Sequence, residues 1–147
     1  MRLAQHIETQ LRSSNAADTV TLDYEARFLR RKQLVSDGGE PFLVELAETQ
    51  SLNQGEGFRL DDGRIIAVMA AAEPLLAVRH GNLARIAWHV GNRHTPCQIA
   101  NDHILIREDK VLQAMLEGLG ASVTQVTAPF TPEGGAYGHG RTHGHEH

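Results

Sequence analysis

Four histidines lie close together at the C-terminal end of the 147-residue chain. Imidazole is a borderline ligand that suits Zn, Cu and Ni, and several imidazoles on a flexible chain can wrap around one ion. A purification tag or a polar tail without a role is the alternative, but Gly, Arg, Thr and Glu separate these histidines, whereas a tag is usually an unbroken run. Because His-rich tracts commonly bind metal, we expect metal capture by His139, His143, His145 and His147.

A further candidate ligand, His94, lies in the segment GNRHTP, residues 91–96. We expect Gly91 to end a helix as the C′ residue in the left-handed conformation, and Pro96 to prevent the helix from resuming. His94 would then be held on a rigid corner. A lone histidine is more often part of an ordinary polar turn, but in a symmetric dimer both chains supply the same residue at the two-fold axis. Such a pair leaves open coordination positions for the tail histidines, and this labile arrangement suits handing a metal over.

The other metal-ligand types give weaker signals. Cys97 forms an H-x-x-C pattern with His94, but its strand-like context favours a buried structural role, since free Cys is among the most buried residue types. His89 lies one residue off an apolar stripe and is expected at the surface or an interface. His6 and His80 have no metal-ligand spacing to a partner.

Composition excludes several classes of protein. A single Cys cannot form an intrachain disulfide and suits a reducing compartment, so we expect a cytoplasmic protein. No apolar run approaches the roughly 18 residues that span a bilayer, and the N-terminus lacks the apolar segment of a signal peptide. A net charge of -4 argues against general nucleic-acid binding. We interpret the basic residues Arg27 and Arg30-Arg31-Lys32 as a solvated face.

Residues 1–73 are expected to form a small all-β domain of hairpins. Asp37-Gly38-Gly39 and Asp62-Gly63 each lie between apolar runs. Asp-Gly in that setting is a strong hairpin signal, because both central turn residues need φ > 0. Thr19 to Tyr24 alternates like a short strand, whereas residues 1–17 give weak signals and residues 25–35 fit no clean period.

Residues 74–130 are expected to form a ferredoxin-like domain in the order β-α-β-β-α-β, so that the whole chain is of the α+β class. Two helices, capped by Asn82 and Asp109, would cover one face of an antiparallel sheet and leave the other face for a partner. The four strands are predicted at residues 75–78, 97–100, 103–107 and 122–128. From Pro129 onward the chain is poor in apolar residues, so order should be lost and residues 131–147 should form a flexible His-rich tail.

Several segments together carry a resemblance to a known family. They are FLRRKQLVSDGGEPFLVEL in the first domain, LARIAWHVGNRHTPCQI at residues 83–99, HILIREDKVLQAMLEGLGASVTQVTAPFTPEGGAYG at residues 103–138, and the His-rich tail. Over nearly its whole length the chain resembles the UreE family of urease accessory nickel metallochaperones. No single segment is specific for this family, but the combination of GNRH-x-P-x-Q, PEGGAYG and the tail is specific for it.

The resemblance implies a function and its partners. The N-terminal domain looks like a peptide- or partner-binding module, and the ferredoxin-like domain is expected to form a head-to-head homodimer. The family's interface ligand matches His94, and its auxiliary ligands match the tail histidines, led by His145 and His147. The cargo would be Ni(II), with Zn(II) or Cu(II) able to occupy the same sites. The expected partners are a UreG-like urease accessory GTPase and the urease apoprotein, without nucleic acid or membrane.

One position departs from the family pattern. Many relatives carry a His ahead of the second helix in a D-H-V-L context, where this chain has Asp109-Lys110-Val111-Leu112. A Lys is charged at neutral pH and is a poor ligand, so a secondary metal site there is not expected. His103 lies nearby in sequence, but we do not expect it to replace the missing ligand.

Three alternatives to delivery of nickel stay open at this point. A general Ni, Cu or Zn buffer or storage protein would bind several ions without a dedicated recipient. A metalloenzyme would need a rigid three-ligand site with an activated water, and neither such a cluster nor a phosphate loop, H-E-x-x-H or G-x-S-x-G motif occurs. We therefore do not expect an enzyme. A peptide-binding chaperone acting through the first domain alone is the third alternative.

Overall fold

The structure is a computed structural model that describes residues 1–9, 11 and 15–134. The chain divides into two compact units, the first spanning Met1–Ala71 and the second beginning at Ala72. Within the described residues, none of the helices has the length and apolar character needed to cross a membrane. The four tail histidines lie outside the described residues.

The first unit is a six-stranded sheet. Its strands are β1 (Arg2–Glu8), β2 (Asp18–Leu22), β3 (Phe28–Val35), β4 (Pro41–Ser51), β5 (Gly57–Leu60) and β6 (Ile65–Ala70). They lie in the order β2-β6-β5-β1-β4-β3. The pairs β1–β4 and β2–β6 are parallel, and the other neighbouring pairs are antiparallel.

Both predicted hairpins are present, but the type of turn differs from the prediction. Each loop has three residues and ends on a glycine with positive φ, 96° at Gly39 and 90° at Gly63. In the second loop Gly63 N–H donates to Leu60 O and Leu60 N–H donates to Arg64 O. This is the three-residue hairpin in which a turn is followed by one left-handed residue. The aspartates therefore keep negative φ, and only the glycine must be left-handed.

Two strands of the first unit gave weak sequence signals for identifiable reasons. β1 lies inside the sheet between β5 and β4, yet only its Ala4 is fully buried. Its sequence therefore lacks the apolar alternation that would indicate a strand. In β3 the buried residues Leu29 and Leu34 are separated by an odd number of positions. A register shift between Leu29 and Arg31 brings both onto one face, because a bulge adds one residue to the alternation.

Arg27 corrects one sequence interpretation. Arg30, Arg31 and Lys32 are solvent-exposed as predicted, but Arg27 is only 1% exposed. Its Nε donates to Leu52 O at 3.1 Å and its Nη1 donates to Leu22 O at 3.0 Å. Its guanidinium also lies 5.9 Å from the centre of the Tyr24 ring. Arg27 is therefore a buried structural residue that joins two backbone segments of the first unit.

The second unit confirms the predicted ferredoxin-like arrangement. Asn82 Oδ1 accepts a hydrogen bond from Arg85 N–H, and Asp109 Oδ1 accepts one from Leu112 N–H, as expected of N-caps. The strands form an antiparallel sheet in the order β10-β7-β9-β8. The elements are β7 (Ala72–Arg79), α1 (Leu83–Asn92), β8 (Gln98–Ile99), β9 (Ile104–Arg107), α2 (Lys110–Gly118) and β10 (Ser122–Pro129).

One core cluster joins both helices to one face of this sheet. Ile86 and Val90 of α1 and Leu112 and Leu116 of α2 are at most 1% exposed. They belong to the same cluster as alternate residues of β7 and β9, namely Leu76, Val78, Ile104 and Ile106. Burial of these side chains fixes α1 on the sheet, and thereby the position of the residue that follows it.

The expected loss of order from Pro129 is wrong for the next four residues. Phe130 is fully buried. Thr131 N–H donates to Gln98 Oε1 at 2.9 Å, and Glu133 N–H donates to Cys97 O at 2.8 Å. One buried aromatic side chain and two hydrogen bonds from the backbone offset the entropy that the polar composition alone could not.

Candidate metal site

His94 lies at the C-terminal end of α1, but the helix ends differently from the prediction. The helix continues through Gly91 to Asn92, and Arg93 is the C-cap residue. Gly91 is not among the residues with positive φ, whereas His94 has a φ of 56° and is the only non-glycine residue with positive φ in the described part of the chain. The left-handed position that was assigned to Gly91 therefore belongs to His94.

Two hydrogen bonds hold His94 in this conformation. Thr95 N–H donates to Val90 O at 3.3 Å, and His94 N–H donates to Gly91 O at 2.9 Å. These are the two bonds of a Schellman motif, in which the left-handed C′ position is usually Gly. A residue with a Cβ in that position costs about 1–2 kcal/mol. The chain thus carries an exposed imidazole on a strained but fixed backbone.

The end of the helix also favours a cation at this place. The last carbonyl groups of a helix carry a partial negative charge, which stabilises positive charge within the last turn. α1 ends immediately before the corner that carries His94. A neutral imidazole there can offer a lone pair to a metal ion in a favourable local field.

His94 does not have two further ligands near it within the described residues. Among residues 1–9, 11 and 15–134, no three His, Cys, Asp or Glu side chains are grouped so that they could hold a metal ion. Metal binding by His94 would therefore require ligands from the tail, from a second chain, or from both.

Cys97, three residues after His94, has the properties of a structural cysteine. Its side chain is half-buried and packs against the core cluster of the second unit. Burial and the nearby Glu133 carboxylate raise the pKa of the Cys97 thiol above its usual range. Because the thiolate is the form that binds metal, a raised pKa makes Cys97 a poorer ligand than an average cysteine.

The other histidines in the described part of the chain, His6, His80, His89 and His103, have local surroundings that do not involve one another. His80 Nδ1 accepts a hydrogen bond from Asn82 N–H at 2.8 Å, and its Nε2 lies 3.2 Å from Leu119 O. His89 makes an edge-to-face contact with the Trp88 ring. His103 Nδ1 lies 2.6 Å from Asp102 Oδ1, and this bond lowers the pKa of the Asp102 carboxyl. His6 is exposed on β1.

Trp88 is a feature that the sequence analysis did not single out. It lies on α1 between the buried Ile86 and Val90, yet 63% of its surface is exposed. Ile99 on the edge strand β8 is also 49% exposed. The signal was present in the sequence, because the only Trp of the chain falls outside the apolar stripe of its helix. Trp88 is therefore a candidate contact residue, because Trp side chains are enriched at protein interfaces.

Comparison with known proteins matches both units. Residues 2–71 match the family model for the N-terminal domain of the UreE urease accessory protein, and residues 73–147 match that for its C-terminal domain. A urease accessory protein UreE from Ruegeria pomeroyi is 58% identical over 134 residues, which cover 91% of this chain and 90% of the relative. The UreE protein of Rhodobacter capsulatus is 60% identical over 91% of this chain and 85% of its own. The UreE protein of Paracoccus denitrificans is 62% identical over a stretch that covers 84% of this chain and 79% of the relative.

Proposed function

Because the chain belongs to the UreE family of urease accessory proteins, we propose that it is a metallochaperone that binds Ni(II) at a pair of His94 imidazoles and delivers the ion for assembly of the urease active site. In this proposal it acts in the cytoplasm as a homodimer. The ferredoxin-like domain, residues 74–130, carries the metal site and the dimer contact. Residues 1–73 form the partner-binding domain, and residues 131–147 form the tail that captures the ion.

The observation that carries this proposal is the placement of His94. Its imidazole is exposed on a corner fixed by two backbone hydrogen bonds, at the end of a helix that favours positive charge. A single imidazole binds a metal ion weakly, but a two-fold axis beside the corner would bring the same imidazole from both chains to one ion. Two imidazoles leave most positions of a Ni(II) ion open, so that the tail histidines can complete the coordination and later be replaced by ligands of the recipient.

The surrounding charges favour release of the ion over storage. No Asp or Glu occurs between Glu73 and Asp102, whereas Arg85 and Arg93 lie on α1 and at its C-cap. Nearby positive charges weaken the binding of a divalent cation through Coulomb repulsion. The positive charges of Arg85 and Arg93 would therefore help to keep Ni(II), or competing Zn(II) and Cu(II), bound loosely enough for transfer.

The exposed Trp88 supports a dimer contact on the same unit. It precedes His94 by six residues and lies on the helix that ends at the corner. A second copy packed over Trp88 would remove its large apolar surface from water, and buried Trp side chains often dominate the energy of an interface. The same contact would bring the two His94 residues towards one axis.

Trp88→Glu is expected to weaken the dimer about 10-fold or more and to reduce tight nickel binding with it. The change places a charge in the proposed contact, while the exposed position leaves folding of the monomer intact. Val111→Glu is the matched control, since Val111 is a comparably exposed apolar residue on α2. Sedimentation equilibrium of both variants measures the effect. Dissociation caused by Val111→Glu, with the Trp88→Glu dimer intact, would place the contact elsewhere.

Replacing the four tail histidines by Asn is expected to lower the number of Ni(II) ions bound per dimer, while the tightest site persists. The tail supplies capture ligands in this proposal, whereas the paired His94 residues supply the central site. Calorimetric titration with Ni(II) measures both quantities. Loss of every tight site in this variant would show that the tail, and not His94, forms the centre.

Delivery distinguishes a chaperone from a general metal buffer. A chaperone in the nickel-loaded form should be retained by an immobilised urease accessory GTPase, and the His94→Ala variant should be retained less. A buffer should bind several ions per dimer and ignore the GTPase in both forms. Equal retention of the loaded, unloaded and His94→Ala proteins would contradict nickel-dependent delivery.

A further inference from the structure

The β3–β4 hairpin of the first unit ends in a tip, residues 36–40, that reaches the opposite edge of its sheet. β2 and β3 are the two edge strands of the order β2-β6-β5-β1-β4-β3. A flat sheet would hold these strands five spacings apart, about 24 Å. Asp37 nevertheless follows the end of β3 by two residues, and its N–H donates to Thr19 O of β2 at 2.8 Å. The sheet must therefore curl until the hairpin tip meets β2.

The side chain of Asp37 strengthens this contact. Its Oδ2 accepts hydrogen bonds from Thr19 Oγ1 at 2.6 Å and from Thr21 Oγ1 at 2.8 Å. Both threonines belong to β2 and point to the same face, since they are two positions apart. Hydrogen bonds to an ionised group are about twice as strong as neutral ones. Asp37 thus holds the tip on β2 through its carboxylate as well as its backbone.

Asp18, the first residue of β2, binds the tip in return. Its Oδ2 accepts a hydrogen bond from Gly38 N–H at 3.1 Å, and the buried Ser36 hydroxyl donates to the same carboxylate. Its Oδ1 accepts from Thr19 N–H at 2.7 Å. Both oxygens therefore already hold a donor. Protonation would weaken all three bonds, and the added proton would compete with a donor on whichever oxygen it occupied.

The charged groups that face Asp18 come from the tip and from the loop between β5 and β6. Asp37 brings a like charge and Arg64 an opposite one. Arg64 also binds the Glu40 carboxylate at 2.7 and 2.6 Å and Asp62 at 2.8 Å. The serine hydroxyl first, then the two backbone donors and the Arg64 guanidinium, hold the pKa of the Asp18 carboxyl below its usual range. Asp18 is therefore charged at neutral pH and loses this charge only below about pH 3.9, the usual pKa of an aspartate.

We propose that Asp18 is an acid-sensitive latch that closes the first sheet by holding the hairpin tip on the edge of β2. Because the carboxyl has a lower pKa in the folded chain than in the unfolded one, the latch stabilises the closed sheet at neutral pH. This contribution is lost as the pH falls through the lower value. Opening removes the donor from Thr19 O, and an edge with unpaired backbone groups can pair with another strand. The inference does not depend on metal binding.

Hydrogen exchange of single amides, followed by NMR of the full chain, tests the latch. Asp37 N–H and Gly38 N–H report the closed tip, because both donate to β2. Val68 N–H, which donates to Glu56 O in the same unit, is the internal reference. Between about pH 7 and about pH 2 we expect the protection of the two tip amides to fall about tenfold relative to the reference. Equal loss of protection at all three amides would overturn a separate opening of the tip.

Asp18→Asn should leave the latch open at neutral pH. The amide has no charge and keeps only one acceptor oxygen, so the tip amides should already exchange about tenfold faster at about pH 7. They should show no further selective loss in acid. Asp61→Asn is the matched control, because it removes the same charge from the β5–β6 loop, where Asp61 pairs with Arg2. Equal protection of the tip in the two variants would overturn the proposal.

Gly38→Ala opens the latch without changing any charge. A Cβ on Gly38 would lie 2.5 Å from Asp18 Oδ2, so the carboxylate must move away from the tip. Gly38 is not among the glycines with positive φ, and its backbone therefore accepts alanine. We expect the same selective loss of protection at neutral pH as in Asp18→Asn. Unchanged protection of Asp37 N–H in the folded Gly38→Ala protein would contradict the role of Asp18.

Discussion

Replacing His94 by glycine is expected to stabilise the chain while it removes tight nickel binding. The C′ position of the Schellman motif requires the left-handed conformation that His94 adopts with a φ of 56°, and glycine adopts it without the steric cost of a Cβ. We expect the free energy of unfolding to rise by about 0.5–1 kcal/mol. Loss of the imidazole should weaken nickel binding by about 100-fold or more, since even second-shell changes cost 10–100-fold.

His94→Ala separates the two effects. Alanine also lacks the imidazole but keeps a Cβ in the left-handed position, so it should lose nickel equally without the gain in stability. Urea unfolding and calorimetric nickel titration of both variants give the comparison. Unchanged tight nickel binding in either variant would contradict the role of His94 as the central ligand. Equal stability of the two variants would contradict the steric cost of a Cβ in the left-handed position.

Arg27→Met is expected to destabilise the first unit by about 3 kcal/mol. Methionine approximates the apolar part of the side chain, but it removes the donor that Arg27 supplies to Leu52 O. It also leaves Leu22 O with only the hydrogen bond from Ala71 N–H. An unsatisfied buried acceptor costs about 1–3 kcal/mol. The packing of the guanidinium near Tyr24 is lost as well.

The matched control for Arg27 lies in the same basic run. Arg30→Met makes the same chemical change at an exposed position, where substitutions usually alter stability by less than about 0.5 kcal/mol. Urea unfolding followed by circular dichroism measures both variants. A similar small effect of the two substitutions would show that burial of Arg27 contributes little.

The parts of the fold that sequence predicted are those determined by neighbouring residues. An N-cap such as Asn82 or Asp109 bonds to an amide three residues away, and a hairpin loop closes on itself around Gly39 or Gly63. Their signals are therefore complete within a short window. The ferredoxin-like order followed from the sequence of such elements.

The parts that sequence missed depend on distant residues. Ala4 is buried because β1 pairs with β4 and β5, and nothing within β1 indicates those partners. Arg27 is buried because two carbonyls from other segments receive its donors. Phe130 follows a strand whose residues are mostly exposed or half-buried, yet it is fully buried. A polar composition gives no warning of such contacts.

The candidate site shows the same division. The type and approximate place of His94 were predicted from a corner between a helix and Pro96. That His94 itself, and not Gly91, is left-handed could not be predicted, because local preference assigns that conformation to glycine. Because the helix continues through Asn92, the left-handed position falls three residues after Gly91. It is occupied by His94, the expected ligand, whose backbone is thereby constrained.

The irregular edge strand β3 also bears on how this protein avoids self-association. β3 forms one edge of the first sheet, and it combines a register shift with three consecutive exposed cations, Arg30, Arg31 and Lys32. Bulges and charged side chains on an edge are the devices that prevent another strand from pairing with it. This edge is therefore protected against edge-to-edge aggregation, so a protein that binds there must recognise side chains and cannot extend the sheet.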